Sequence, residues 1–598
     1  MRKAMQVLVI LVAAMIMLCV MAMTGQAAEI IKSGTCGADG DNVTWMLDDE
    51  GTLTISGTGA MKNYVSYGSS LESPFSDNRF IKSVIIEKGV TSIGSRAFRR
   101  CSLTSVTIPD SVTSIGESAF WYCSLTSVTI PDSITSIGES AFSDCCSLTS
   151  VTIPDSVTSI GESVFRRCSS LTSVTIPDRV RSIGSSAFAE CEGLISVTMG
   201  NEVRRIGEGA FEDCSSLTGV YITDLVAWCN ISFEIGISKC SNPLSYAHNL
   251  YLNNELVTDL TIPDSVTSIG DVAFSGCRAL TSVTIPDGVT SIGDSAFSRC
   301  SSLTSVTIPD SVTSIGNSAF WYCSSLTSVT IPDSVTSIDI NAFCYCSSLT
   351  SVTIGAGVRK MGIAPFTGCN SLTGIWVNEN NHEYCSDKKG VLYNKAKTEL
   401  IQVPGGLSGE YNIPSSVTSI GDSAFSNCSS LTSVTIPNGV ESIYRWTFWN
   451  CSSLTSITIP SSVTSIGDYA FGGCDKLTDV YFGGSELQWR AVSIGVYDND
   501  SIYYDAKIHY NNISSIYIEK IELETEYIFV LTPYKELKDC FAYAAAYDVY
   551  GRLIDEECEE LSGTKIVKLN VKKKHGGKAK VFIWDKDMQP LNLIRNAE

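Results

Sequence analysis

The chain has 598 residues, a formal net charge of -21, 44% hydrophobic residues, 23 cysteines and four histidines. So acidic a balance argues against a nucleic-acid partner, which would require a basic face, and it suits a soluble exported protein. His248, His382, His509 and His575 all lie outside the regular repeat that fills most of the chain, which leaves catalysis or metal binding through histidine without a framework.

Residues 1–27 read as a secretory signal peptide: Arg2 and Lys3, an apolar run from Val7 to Met23, then Gly25 and Ala27 at a small-x-small cleavage site. The run is slightly long for a cleaved signal, so an uncleaved membrane anchor is the alternative by length. Leu18 is too bulky before Cys19 for a lipoprotein signal. No later segment approaches the ~20 apolar residues of a membrane span.

Residues 28–80 carry two strand-like runs, Trp45-Met46-Leu47 and Leu53-Thr54-Ile55, joined by the acidic turn Asp48-Asp49-Glu50-Gly51. They predict an N-terminal β cap over the open apolar end of the repeats that begin at residue 81.

Residues 81–512 repeat one sentence of 22 or 23 residues, L-T-S-V-T-I-P-D-S-V-T-S-I-G-x-x-A-F-x-x-C-S-S. Phe-x-x-Cys occurs fourteen times, from Phe98 and Cys101 to Phe471 and Cys474, and the residue ending the first apolar run, from Ile86 to Phe482, counts about seventeen coils. Two steps are longer, Ile222 to Ile262 and Val377 to Ile413; the coils holding them, and the last coil, lack Phe-x-x-Cys. A unit of this length repeated end to end means a solenoid whose coils bury their apolar faces only against each other. Leu-x-x-Val-x-Ile alternates as a short strand with Val and Ile inward and Thr outward. Pro and Asp then suit a turn, because proline fixes φ and lacks a ladder donor. Val-x-x-Ile-Gly is a second brief apolar run, and Ala-Phe-x-x-Cys places Phe and Cys on one side of a single helical turn.

Residues 513–598 leave the repeat and alternate as strands, for example from Ile516 to Leu523 and from Ala579 to Trp584. They predict a small C-terminal β-sandwich-like domain, resembling accessory modules of bacterial exported proteins.

Leu-x-x-Val-x-Ile continued by Pro-x-x-Val-x-x-Ile-Gly-x-x-Ala-Phe-x-x-Cys resembles the BspA-like class of bacterial leucine-rich repeats, over about Ile81 to Asn512. The resemblance implies an α/β-type repeat solenoid on a secreted or cell-surface protein concerned with adhesion to macromolecules. It selects no ligand.

The fourteen repeat cysteines predict an inward ladder of thiols acting as small buried hydrophobes, in which a serine would bury a hydroxyl without a partner. Disulfides between neighbouring coils are the competing reading, disfavoured because in-register parallel side chains point poorly for bridging. Cys229 with Cys240, and Cys540 with Cys558, are better placed for bridges. No cysteine pair has the spacing of a zinc site, and no cofactor is expected. Gly-Glu-Ser-Ala-Phe at residues 116–120 superficially has the look of a nucleophile elbow, but Phe120 stands where glycine is required. The aspartates of the Pro-Asp turns, Asp110, Asp132, Asp155, Asp178, Asp264, Asp287, Asp310 and Asp333, supply one carboxylate per coil and fall short of a calcium cage of about six to eight oxygens. The protein is therefore expected not to be an enzyme.

Variation is concentrated between Phe and Cys: Arg99-Arg100, Trp121-Tyr122, Arg166-Arg167, Glu212-Asp213, Trp321-Tyr322 and Trp449-Asn450. Packing holds the core positions constant, so these side chains are expected to point outward, and exposed Trp and Tyr mark binding surfaces. Trp121, Tyr122, Trp321, Tyr322, Tyr444, Trp446 and Trp449 form the candidate binding ridge; drift within duplicated repeats would produce the same variation. These residues suit two functions: a non-catalytic adhesion or interaction scaffold for an extracellular protein or glycan, or a carbohydrate-binding accessory protein whose rings stack on sugars. An ice-binding array is disfavoured, because only one outward Thr per strand recurs.

Overall fold

The computed structural model describes residues 28–65, 72–234, 236 and 240–510, together with backbone strands between residues 516 and 585. Residues 1–27, expected from the sequence to be a signal peptide, lie outside the described residues. The chain is a β-solenoid of about seventeen turns, and it divides into two compact units, residues 1–303 and 304–598.

In a regular coil the two apolar runs become two short strands, each paired parallel and in register with its counterpart one coil away. Ser150–Thr152 pairs with Ser127–Thr129, and Ser159–Ile160 with Ser182–Ile183. Between them a tight turn closes on the proline carbonyl, Val157 N donating to Pro154 O. Register fixes the core, because every inward position meets its own kind in the next coil: Val128, Ile130, Ile134, Ile137, Ala141, Phe142 and Cys145 are all buried. The phenylalanines stack continuously from Phe75 through Phe98, Phe120, Phe142, Phe165 and Phe188 to Phe211, with centroids 5.3 to 5.6 Å apart. In the second unit they stack from Phe320 to Phe366 and from Phe425 to Phe471. Outward threonine hydroxyls add a further rail, Thr149 Oγ1 donating to Thr126 O at 3.0 Å.

The cap residues form an antiparallel set, Ile30–Gly37, Gly40–Asp48 and Thr52–Gly57; the last then pairs parallel with Ser83–Ile86 and starts the first sheet. Trp45 packs edge-on to Phe75 and begins the aromatic stack.

The two inserts are built differently. In the first, a helix at Leu225–Cys229, capped by Asp224, leads to Ser232–Phe233 in the second sheet. Leu250–Leu252 then adds a rung to the first sheet beside Gly219–Ile222 and turns back as a hairpin with Glu255–Leu256. The second insert is an antiparallel ribbon, Tyr384–Ser386, Leu392–Asn394 and Glu399–Gln402, whose last strand rejoins the second sheet against Ser419–Ile420. Beyond the last coil, Ile516–Glu522, Glu526–Pro533 and Val567–Lys572 make one antiparallel sheet, and Leu537–Tyr547, Leu553–Gly563 and Lys578–Asp585 another.

Among the described residues no helix is long and apolar enough to cross a membrane.

Candidate functional site

The segment around Phe-x-x-Cys decides what the surface presents. The single helical turn expected there is realised as interleaved tight turns. Ala119, Trp121 and Cys123 N–H groups bond three residues back within the coil, whereas those of Ser118, Phe120 and Tyr122 donate to Glu139, Ala141 and Ser143 carbonyls of the next coil. Aiming alternate N–H groups sideways requires left-handed residues, and two recur per coil: Ser118 at φ 52° and Tyr122 at φ 59°, Ser140 at 54° and Asp144 at 59°. The second of these is the residue before each cysteine, a variable position of the candidate ridge. A side chain held there costs about 1–2 kcal/mol of backbone strain. Gly276, Gly368 and Gly473 avoid that cost at equivalent positions, but Tyr122, Tyr322 and Tyr345 do not.

The cysteines use the same backbone. Cys145 Sγ donates to Phe120 O at 3.2 Å, and Cys168, Cys191, Cys214, Cys300, Cys369 and Cys474 each do so to the phenylalanine carbonyl one coil back. The thiol therefore joins coils through a hydrogen bond as well as filling space, and a serine at Cys300 would find Phe274 O as a partner, contrary to the sequence expectation. Burial pushes the Cys101, Cys145 and Cys214 thiols up to about 12. All twenty cysteines among the described residues are free thiols. Cys229 is buried and Cys240 lies 3.0 Å from Ser245 Oγ, so the bridge expected between them is not formed. Cys540 pairs with Leu561 and Cys558 with Tyr543, which sets these two cysteines three rungs apart, about 10 Å along the strands and beyond bridging reach.

The ridge residues divide by burial. Tyr122, Tyr322, Tyr444 and Trp446 are exposed, whereas Trp121, Trp321 and Trp449 are half-buried. In the first unit, Trp121 Nε1 donates to Asp144 Oδ2 at 2.9 Å and the Arg99 guanidinium lies 4.7 Å over its ring, so Tyr122 is the more available of that pair. The neighbouring charges neutralise each other: Arg166 and Arg167 both bind Glu190, whose carboxyl is held below its usual range chiefly by the Arg167 hydrogen bond. In the second unit, Trp321 meets Tyr322 edge-on at 4.4 Å and Tyr322 stacks on Tyr345 at 4.6 Å. Arg445 lies 3.9 Å over Trp446, which leads to Tyr469 and then Tyr497, an aromatic row along three coils.

A second aromatic set escaped the sequence reading. On the outer face of the first sheet most regular coils carry threonine, with Ile85 and Asn412 as exceptions, but the three irregular coils carry Tyr221, Trp376 and Tyr481. Tyr221 stacks on Tyr251 at 4.5 Å, and Tyr481 on His509 at 4.6 Å. Gly219 and Gly374 stand two residues before Tyr221 and Trp376, in place of the usual serine. A Cβ on Gly374 would meet Trp376 Cζ2 at 2.5 Å, so the ring is laid along the strand over the space that glycine leaves. The signal lay in the sequence as a paired departure, Ser-x-Thr becoming Gly-x-aromatic, only where Phe-x-x-Cys is lost.

Among the described residues, no three His, Cys, Asp or Glu side chains are grouped as a metal site. Two parallel ladders joined by repeated turns, with chemistry only on their outer faces, define a leucine-rich repeat scaffold. The chain belongs to the BspA type leucine rich repeat region family, whose profile matches residues 71–150, 135–233, 246–373 and 408–524. Repeat proteins of this kind are generally non-enzymatic scaffolds, and membership points to a protein-interaction or surface role. Among solved structures, a leucine-rich repeat protein from Bacteroides ovatus is 25% identical over 79% of this chain and 98% of its own, with TM-score 0.37. One from Eubacterium ventriosum is 23% identical over 76% and 96%, with TM-score 0.31. A leucine rich cell surface protein from Faecalibacterium prausnitzii is 24% identical over 78% and 99%, with TM-score 0.24. No curated protein matches the chain.

Proposed function

We propose that this is a secreted or cell-surface adhesion scaffold that binds an extracellular protein through the turn ridge. One observation carries the reading: Tyr122, Tyr322 and Trp446 keep large, exposed side chains at left-handed positions where glycine would relieve the backbone. Strain retained at exposed aromatic residues supports a use for the side chain itself. The test is an array of matrix proteins and glycans probed with the purified chain, then with Trp321, Tyr322, Trp446 and Trp449 changed to Ala. Loss of a protein interaction without loss of stability supports the ridge; a lowered melting temperature with unaltered affinity assigns these rings to the fold.

A second reading, carbohydrate binding, is favoured by the ring of Trp376, which lies along the strand and is 42% exposed on the outer face of the first sheet.

A further inference from the structure

We infer that the first sheet of residues 304–598 holds a subsite for a neutral saccharide chain, floored by Thr307, Thr330 and Thr353 and ended by Trp376. The inference rests on the carbohydrate reading above and gives it a place and a ligand class.

The outer face of the strands Ser305–Thr307, Ser328–Ile331 and Ser351–Ile354 carries an open groove of about 590 Å³. Its floor holds the hydroxyls of Thr307, Thr330 and Thr353, and the carboxylates of Asp310 and Asp333 stand along one side. Ala356 N donates to Asp333 Oδ1 at 2.6 Å, which fixes that carboxylate at the groove's edge. Thr330 pairs in register with Thr353, and Thr353 with Trp376, so the indole stands one rung beyond the groove's own lining, with its ring laid back over Gly374.

These groups match a sugar better than other ligands. A pyranose presents hydroxyls at its rim and a C–H face; in the groove the rim meets threonine hydroxyls and carboxylate acceptors, and one rung further on the face of the next ring meets an indole backed by Gly374. The hydroxyl floor offers little to an apolar peptide. The two carboxylates repel anionic glycans, and alone they fall short of the six to eight oxygens that calcium takes. The rungs recur about every 4.8 Å across the strands. That spacing is close to the advance of one ring in an extended glycan, so the chain would run from coil to coil rather than along a strand.

The test is binding of the full chain to immobilised neutral oligosaccharides, acidic glycans and matrix proteins, with affinities from titration of the best neutral oligosaccharide. Trp376→Ala is expected to weaken that affinity by at least about tenfold and Trp376→Phe to restore much of it, as for an aromatic anchor. Thr330→Val is expected to weaken it less, and Leu487→Ala, exposed and outside both the groove and the ridge, not at all. If Trp376→Ala fails to fold, the pair Thr330→Val and Thr353→Val carries the same test. Neutral-glycan binding indifferent to these groove changes overturns the subsite while the carbohydrate reading stands. Binding of acidic glycans only overturns the subsite, and absence of all glycan binding overturns both together.

Discussion

Regular and irregular coils reach the same end, a buried backbone with its polar groups paired, by opposite routes. In a regular coil the solution is collective. Phe142 has Phe120 and Phe165 on its two faces, and the Phe120 carbonyl is met by a thiol one coil later. Where Phe-x-x-Cys is lost the repeat supplies no such partner, and each irregular coil instead buries one asparagine. Asn242 donates to Val272 O and Ala273 O; Asn381 donates to Gly355 O and Val358 O while accepting from Glu383 N and Tyr384 N. Asn499 donates to Gly467 O and Gly495 O and accepts from Phe471 N. A buried amide can satisfy four groups at once, which is what an interrupted ladder needs. Periodicity thus stabilises by repetition, and its interruptions by single polar side chains.

The comparison can be broken most forcefully in the cores. Phe142→Ala is expected to cost about 3–5 kcal/mol, from lost burial and the cavity left inside the stack. Asn381→Ala strands two buried carbonyls at about 1–3 kcal/mol each and is expected to cost about 3 kcal/mol. Denaturant midpoints measure both, and an Asn381 variant as stable as the parent would remove the amide from the account. Alkali sharpens the regular side. Burial pushes the Cys101, Cys145 and Cys214 thiols up to about 12 against 9.0 in the open chain, so above pH 9 the unfolded state holds fewer protons at these positions. Stability is therefore full below pH 9 and falls as pH rises toward 12, by about 1.4 kcal/mol per pH unit for each such thiol; a flat profile from pH 9 to 11 contradicts the buried ladder. Cys300→Ser, with Phe274 O as acceptor, is expected to cost only about 1 kcal/mol, and Cys300→Ala in parallel separates the hydrogen bond from the volume. The smallest effect is a gain. Ser140→Gly at φ 54° relieves strain and is expected to add about 0.5 kcal/mol after the glycine's own entropy, visible as a raised melting temperature.

Legibility in the sequence divides along the same line. Strands, the Pro-Asp turns and the inward Val, Ile, Phe and Cys were legible because each appears many times, so chance variation cancels. The alternation starting at Ile516 likewise marked a strand that the backbone forms at Ile516–Glu522. Features that occur once had no such averaging. Leu250–Leu252 completes a rung without the Pro, Gly or Phe that announce one elsewhere, and Asn381 is an ordinary loop residue until its neighbours are placed. Left-handed backbone at Arg100 or Tyr122 was hidden because residues other than glycine occupy it, and sequence reasoning looks for that conformation at glycine. Trp376 stands once on the strand Gly374–Val377, at a position threonine fills in most coils, away from the variable pair between Phe and Cys that marks the ridge.

The sideways hydrogen bonds of Ser118, Phe120 and Tyr122 run from main chain to main chain, and each regular coil offers its neighbours the same Phe and Cys, so one regular coil seats on the next much as on any other. A coil is then an exchangeable module, and the near-identical stretches that encode it are natural crossover points for unequal recombination. Removing residues 309–331 in frame would return the chain to the same turn, from Ile308 straight to Pro332, with the stack shortened by one. Length in this protein is a heritable trait that can drift by whole coils without passing through a misfolded intermediate sequence.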